Sequence, residues 1–330
     1  MRKLLIGIIG ATFIAAAPAH AQKYNLTLAG ASPGGLWSLI GAGMDKVFAK
    51  AYPGSTITYQ TGSGGLANAK LVQDGKVPMG ITVDTELSAA INGAGPFRGK
   101  KQKDLRVLFR VYSPSARFQL MHILINGDIA KKHGIATMAD LKKQARNLRV
   151  AVNRRGNMDG DMALAVMKGH GVNSKRFKRL VHAASKEMTS LMLDRRIDVM
   201  ALGIAYRHRT IRQVMKGFNN NLVLLDIGPL VSADVATRLG GQPCIVKKKE
   251  YPFLTGDVRT VCFGAVIVAN KSMKNKTAYD LTRAMIKYVD VFKTAHRALK
   301  KATTPQSLAE PSVAPHHPGA AKAFKEAGLN

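Results

Sequence analysis

The chain has 330 residues, 46% of them hydrophobic, and it carries 50 Lys and Arg against 20 Asp and Glu, a formal net charge of +30 at pH 7. This apolar content excludes a disordered chain, and the length fits one large or two medium domains rather than one small core. The basic excess favours anionic partners. The basic residues form separate patches, at 100–103, 154–155, 175–179 and 247–249, rather than one nucleic-acid-binding arm.

The first residues have the pattern of a secretory signal peptide. A positive start at 1–3 precedes an apolar run at 4–17, and Ala19, His20 and Ala21 give a small-x-small ending. The run is shorter than the roughly 20 apolar residues of a spanning helix, which argues against a membrane anchor. We expect cleavage after Ala21 and a soluble periplasmic protein that spans no membrane and binds no nucleic acid.

The charge has three interpretations that the sequence leaves open. The basic residues can form a solvated surface suited to an acidic habitat, attract a small anionic ligand, or attract the membrane surface. A polyanion binder would lose its affinity as salt rises, whereas a buried cleft would respond weakly.

Strands and helices alternate in the first part of the mature chain. The patterns predict strands at 25–30, 56–61, 79–83 and 105–112, and helices at 36–51, 66–74 and 87–91. Two glycine-rich turns, at 30–35 and 62–65, each connect a strand to a helix.

A second unit begins near Phe118. Its predicted strands are 120–125, 148–152, 197–202 and 222–226, with helices starting at 138 and covering 162–169, 186–194 and 207–215. An almost unbroken apolar strand follows at 258–269 around Gly264, then a helix at 276–291 and a short final helix. The alternation predicts an α/β fold with parallel sheets and helices on both faces, and ligands at the carboxyl ends of the strands.

The turns indicate binding rather than catalysis. Gly and Ser at a strand-to-helix turn leave backbone N–H groups open to a carboxylate or phosphate. Many glycine-rich turns, however, are simply tight connections that bind no ligand. Neither glycine turn has the phosphate-loop or dinucleotide pattern, and the chain has no Gly-x-Ser-x-Gly elbow. Asp159 and Asp161 start a predicted helix, where acidic residues are favoured as caps. We expect no enzyme activity, no cofactor and no metal.

Cys244 and Cys262 are the two cysteines. Both lie near predicted strands of one region, and in an oxidising compartment an even pair can form a disulfide. Two buried thiols are the alternative, and the sequence does not decide between them.

Three segments resemble TAXI-type solute-binding proteins of TRAP transporters. They are the first glycine turn and its helix at 29–44, the second glycine turn at 60–68, and the Pro/His-rich segment at 314–320. The likeness runs across most of the mature chain. It implies a two-lobed, type II-like periplasmic-binding-protein fold with a ligand cleft between the lobes, working with a membrane permease driven by an ion gradient.

The resemblance also implies a division of the chain. Residues 1–21 are the signal peptide, 22–115 plus 228–330 form lobe 1, and 116–227 form lobe 2. The chain would cross between lobes near 112–118 and 226–229, and closure about these crossings would bury the ligand.

The resemblance places ligand contacts of lobe 1 in the two glycine turns. The first turn contributes Ser32, Gly35, Leu36 and Trp37, and the second contributes Thr61, Gly62, Ser63 and Asn68. For Trp37, stacking on the ligand and packing in the core are both open.

Three positions depart from the family pattern, and one of them is Trp37, which stands where a Tyr is common. Asp84 stands within a segment where the family often has Gln-Ser-Asp, and it either pairs with a ligand amine or caps a helix. In lobe 2, the turn with Asn157 replaces a Gly-Ser-Gly-Thr sequence, and Arg154 and Arg155 precede it. An arginine there can grip a carboxylate with two hydrogen bonds, the alternative being surface charge.

These features predict a periplasmic solute-binding protein that captures a small organic anion, such as a dicarboxylate or acidic amino acid. It would deliver this ligand to TRAP membrane permease subunits. The alternatives are the ligand-binding component of a periplasmic sensing system, or an exported hydrolase.

Overall fold

The computed structural model describes residues 22–31, 33, 36–155, 158–205, 207–297 and 299–329. The proposed signal peptide and the predicted contact residues Ser32, Gly35 and Asn157 lie outside these ranges. Among the described residues, no helix combines the length and apolar character needed to cross a bilayer.

The strands are β1 (Asn25–Ala29), β2 (Thr56–Gln60), β3 (Met79–Val83), β4 (Leu105–Tyr112), β5 (Gln119–Asn126), β6 (Arg149–Val152), β7 (Arg179–His182), β8 (Val199–Ile204), β9 (Leu222–Leu224), β10 (Gln242–Val246), β11 (Val258–Phe263) and β12 (Ala265–Asn270). The helices are α1 (Leu36–Ala51), α2 (Gly65–Gln73), α3 (Asp84–Asn92), α4 (Gly127–His133), α5 (Met138–Gln144), α6 (Met158–Gly169), α7 (Ser185–Leu193), α8 (Arg209–Gly217), α9 (Pro229–Leu239), α10 (Asn275–Lys287), α11 (Val289–Lys293), α12 (Leu299–Ala302), α13 (Pro305–Ala309) and α14 (Pro318–Glu326).

The first sheet has the strand order β2-β1-β3-β12-β4. Strand β1 runs parallel to β2 and β3, whereas β12 runs antiparallel to β3 and β4. Every residue of β3 is buried, as expected for a strand covered on both faces. One face packs against α1, α10 and α14 through residues such as Met44, Met285 and Phe324, and the other packs against α2 and α3.

The second sheet has the order β10-β11-β5-β8-β6-β7, with β9 also paired to β5. Strand β6 is parallel to β7 and β8, but β5 is antiparallel to β8, β9 and β11. Both sheets are therefore mixed, and the prediction of parallel sheets is wrong for these strands. The reason is that β5 and β12 each enter a sheet from the other one, and hydrophobic patterning carries no information on strand direction.

The strand predicted at 258–269 is two strands that belong to different sheets. Strand β11 pairs in the second sheet and β12 in the first, and the chain crosses between them at Gly264. A Cβ atom on this residue would lie 2.1 Å from Nη1 of Arg110 and 2.8 Å from the carbonyl oxygen of Tyr112. Only glycine fits this crossing without displacing its neighbours.

The sheets divide the chain differently from the sequence expectation, which assigned 228–330 to lobe 1 and put a crossing at 226–229. Strands β10 and β11 lie within that segment but pair in the second sheet. The short β10 contains Pro243 and has no clear alternation, so hydrophobic patterning did not assign a strand range to it. We propose that the lobes follow the sheets, with crossings between β4 and β5 and at Gly264.

A disulfide joins Cys244 on β10 to Cys262 on β11. The two strands are antiparallel neighbours at one edge of the second sheet, with Cys244 opposite Thr260. Of the two alternatives left open by the sequence, the structure therefore has the bridged pair.

A buried ion pair holds the crossing at Gly264. Nη1 of Arg110 on β4 lies 2.8 Å from Oδ2 of Asp84, the first residue of α3, and the two side chains are 3% and 1% exposed. The same carboxylate accepts hydrogen bonds from the backbone N–H of Gly264 at 2.8 Å and from Oγ of Ser312 at 2.7 Å. Arg110 also donates to the carbonyl oxygen of Pro311. One pair thus connects β4, α3, the crossing and the C-terminal segment.

We predict that Arg110→Leu lowers the free energy of unfolding by about 3–5 kcal/mol, because it leaves the Asp84 carboxylate buried without its cation. The control is Lys70→Ala, which removes an exposed ion pair to Asp74 and should cost at most about 0.5 kcal/mol. Urea unfolding of both variants gives the comparison. Equal losses would contradict a special role for the buried pair.

Candidate ligand-binding site

A cavity with a volume of about 310 Å³ lies where the two sheets face each other. Its walls come from the ends of β1, β2 and β3 in the first sheet, and from β5 and the start of α6 in the second. The lining residues are Ala31, Trp37, Gly62, Ser63, Gly64, Gly65, Val83, Glu86, Gln119 and Asp159. This is the edge at which α/β sheets bind ligands, because strand ends and helix N-termini meet there.

A larger depression of about 530 Å³ lies elsewhere, beside Lys247, Lys249 and Asp257. Its described lining comes only from the segment around β10 and β11, so it does not bring two parts of the fold together. Three other depressions, of about 430, 380 and 320 Å³, are likewise each lined from one part of the fold. The cavity lined from both sheets is therefore the candidate site.

Glu86 lies on α3 and turns back toward the start of its own helix. Its Oε2 accepts from the backbone N–H of Val83 at 3.1 Å and from Oγ1 of Thr82 at 3.4 Å, and the backbone N–H of Gly65 also bonds to it. Gly65 is the first residue of α2, and a Cβ atom there would lie 1.7 Å from Oε2 of Glu86. The anion position predicted at the second glycine turn is thus filled by a carboxylate of the protein.

Asp159 occupies the equivalent position in the second sheet, in the first turn of α6. Its Oδ1 accepts from Nε2 of Gln119 at 2.6 Å, and its Oδ2 accepts from Nδ2 of Asn153 at 3.4 Å. The sequence interpretation as a helix-start residue agrees with this position. What the sequence did not indicate is that the carboxylate also lines the cavity.

Burial raises the pKa of Glu86 to about 7, and the nearby charge of Asp159 adds to this shift. Burial likewise raises the pKa of Asp159 to about 6. Hydrogen bonds from backbone and amide donors oppose both shifts without cancelling them. Near neutral pH the cavity therefore holds two carboxyl groups that exchange protons readily.

Trp37 lines the cavity and also packs against the core of the first sheet. Its Nε1–H donates to the hydroxyl of Tyr112 at 3.4 Å, and the ring of Tyr112 meets Phe118 edge-on at 5.0 Å. The packing alternative therefore describes part of this half-buried side chain, and stacking of its ring on a ligand stays a prediction.

The structure brings three of the predicted contact residues to the cavity: Trp37, Gly62 and Ser63. Leu36 packs against the first core instead, and Thr61 is exposed outside the described lining.

Asn68 and Asp84 serve the fold rather than the described cavity wall. Asn68 is fully buried on α2, and its Nδ2 donates to the carbonyl oxygen of Ile81 at 2.7 Å, which ties α2 to β3. The carboxylate of Asp84 forms an ion pair with Arg110 and accepts a hydrogen bond from the backbone N–H of Gly264. It is therefore not available to a ligand amine in this structure.

Arg154 and Arg155 are exposed on the surface and do not belong to the described lining, which contains no Lys or Arg. The structure therefore does not place these arginines on the described cavity wall, and their bidentate binding of a ligand carboxylate stays a prediction. The sequence missed Glu86, Gln119 and Asp159 as cavity residues. Their shared signal is a polar side chain close to a strand end or a helix start.

Two mixed sheets, two chain crossings and a cavity between the sheets define a two-lobed α/β fold. The chain belongs to the NMT1-like family, whose sequence profile matches residues 28–328. No curated protein matches the sequence.

Solved structures of binding proteins share the fold. The binding-protein component of an ABC phosphonate transporter from Pseudomonas aeruginosa superposes with a TM-score of 0.55 at 11% identity, over 86% of this chain and 81% of that chain. PhnD1 from Prochlorococcus marinus in complex with methylphosphonate superposes with a TM-score of 0.54 at 11% identity, over 93% of this chain and 99% of that chain. The periplasmic binding protein BugD superposes with a TM-score of 0.52 at 13% identity, over 93% of this chain and 98% of that chain. The predicted two-lobed α/β fold class is confirmed.

We predict that the raised pKa of Glu86 makes stability depend on pH. The protonated form is favoured in the folded state, so its stabilisation is present below about pH 4.5 and is lost as pH rises through about 7. Between about pH 5 and pH 8, the free energy of unfolding of the wild type should fall by about 1–2 kcal/mol more than that of Glu86→Gln. This value is smaller than the full pKa shift implies, because water reaches this half-buried group. Urea unfolding of both proteins at the two pH values measures this difference in the free energy of unfolding.

The control for this experiment is Glu187→Gln, which removes an exposed carboxylate from the first turn of α7. It should keep the pH dependence of the wild type. Parallel curves for the wild type and Glu86→Gln would contradict the raised pKa.

Proposed function

We propose that the protein is the periplasmic solute-binding component of a TRAP-type transporter, and that it delivers a small organic solute to an ion-gradient-driven permease. The observation that carries this proposal is the cavity lined from both sheets at their ligand-binding edge. The signal-peptide pattern with cleavage after Ala21 supports the periplasmic location. The TAXI-like segments support the TRAP type within the NMT1-like family.

The cavity suits a small solute. Its volume of about 310 Å³ lies at the lower end of small-molecule sites, which span roughly 300–1,000 Å³. The wall combines an aromatic ring, glycine backbone and a few polar groups, which is the usual composition of such sites.

An organic acid, as expected from the sequence, has one favourable place in this cavity. Among the helices that start there, α2 and α6 are approached by the carboxylates of Glu86 and Asp159, whereas the first turn of α1 has no acidic residue. A carboxylate of the solute is therefore best placed at the start of α1, where the helix dipole favours negative charge.

Trp37 offers a direct test, because it is the only tryptophan of the chain and it lines the cavity. We predict that a solute that raises the thermal unfolding midpoint of the mature protein also changes Trp37 emission and lowers the radius of gyration in X-ray scattering. Added salt should have little effect on this binding.

The control is Trp37→Phe, which should lose the emission signal but keep the thermal shift. Stabilisation without a change in emission or radius, or stabilisation that disappears in salt, would contradict binding between the lobes and indicate binding to the basic surface.

A further inference from the structure

The charge of the cavity is opposite to the charge of the protein. The chain has 50 basic residues against 20 acidic ones, yet the described lining contains Glu86 and Asp159 and no basic residue. The two carboxylates come from opposite sheets, and they are close enough for the charge of Asp159 to affect Glu86.

The hydrogen bonds described above for these two carboxylates come from neutral donors. Glu86 accepts from Val83 and Thr82, and Asp159 accepts from the amides of Gln119 and Asn153. These bonds orient the two groups without supplying positive charge. A cation placed between two carboxylates is stabilised by both of them, and its hydrogen bonds to them are charge-assisted.

Two further features of the wall suit a cationic donor. The N–H of Trp37 is directed to Tyr112, so the ring is what this side chain offers, and aromatic faces attract cations. Behind the second glycine turn, Oδ1 of the fully buried Asn68 has no hydrogen-bond partner among the described residues and lies 3.9 Å from the Cβ position of Gly62. Among the described residues, one acceptor oxygen behind the wall is therefore left without a donor.

We propose that the transported solute carries a protonated amine, which binds between Glu86 and Asp159 with Trp37 beside it. This inference rests on the proposed function and names the chemical group that the site selects. A solute with only carboxylates would bring like charge to the pair, whereas an amine replaces the repulsion between the two carboxylates with attraction.

Three probes of similar length test the proposal: cadaverine with two amines, 5-aminovalerate with one amine and one carboxylate, and glutarate with two carboxylates. Titration calorimetry near neutral pH measures their affinities for the mature protein. We expect at least one of the two amines to bind about tenfold or more tightly than glutarate, as expected for hydrogen bonds between charged groups.

Variants locate the amine. Glu86→Gln and Asp159→Asn should each weaken amine binding by about tenfold, because each removes one charged acceptor and keeps a similar shape. The matched controls are Glu187→Gln and Asp161→Asn, the latter exposed in the first turn of the same helix as Asp159. Both controls should bind as the wild type does.

The outcomes separate the two proposals. If glutarate binds with a change in Trp37 emission and the amines do not, the amine inference is overturned and the solute-binding function stands. If an amine binds to both cavity variants as tightly as it binds to the wild type, the assignment to Glu86 and Asp159 is overturned. If neither these probes nor a wider set of small acids and amines changes Trp37 emission, both proposals fail.

Discussion

The buried pair of Asp84 and Arg110 fixes the geometry on which the site depends. It holds the crossing at Gly264, where the chain leaves one sheet for the other, and ties it to β4, α3 and the C-terminal segment. Asp84 also begins α3, so the same contact places Glu86 two residues later at the cavity wall. A buried pair tolerates the loss of neither partner, because the remaining charge would be desolvated without compensation. The position of the cavity therefore follows from the position of this pair.

The second constraint is that two helix N-termini at the cavity are approached by carboxylates of the protein. Backbone N–H groups and the helix dipole favour negative charge there, and Glu86 and Asp159 supply it at α2 and α6. The cost of burying the two like charges appears as their raised pKa values. At helix N-termini that favour anions, the described lining of the cavity is thus acidic, while the excess of positive charge lies outside it.

Much of the fold could be predicted from the sequence, because it depends on local patterns. The β3 strand and the α1 helix follow from periodicity, and Ala31 of the first glycine turn and Gly62 to Gly65 of the second line the cavity. Strand direction and the break at Gly264 could not be predicted, since both are set by which sheet a strand joins. The residues of the candidate site were harder to predict than the fold. Asp84 and Glu86 are similar carboxylates two residues apart, and only the positions of Arg110 and Gly65 decide which one is buried in an ion pair and which one lines the cavity.

The most direct test is the number of protons exchanged when an amine binds near neutral pH, measured by calorimetry in two buffers of different ionisation enthalpy. Before binding, Glu86 and Asp159 are partly protonated because their pKa values are about 7 and about 6, while Tyr112 stays neutral because burial raises its pKa. The account predicts net proton release, since an ammonium group favours both ionised carboxylates. Net proton uptake, or no exchange at all, would contradict an amine held between this pair.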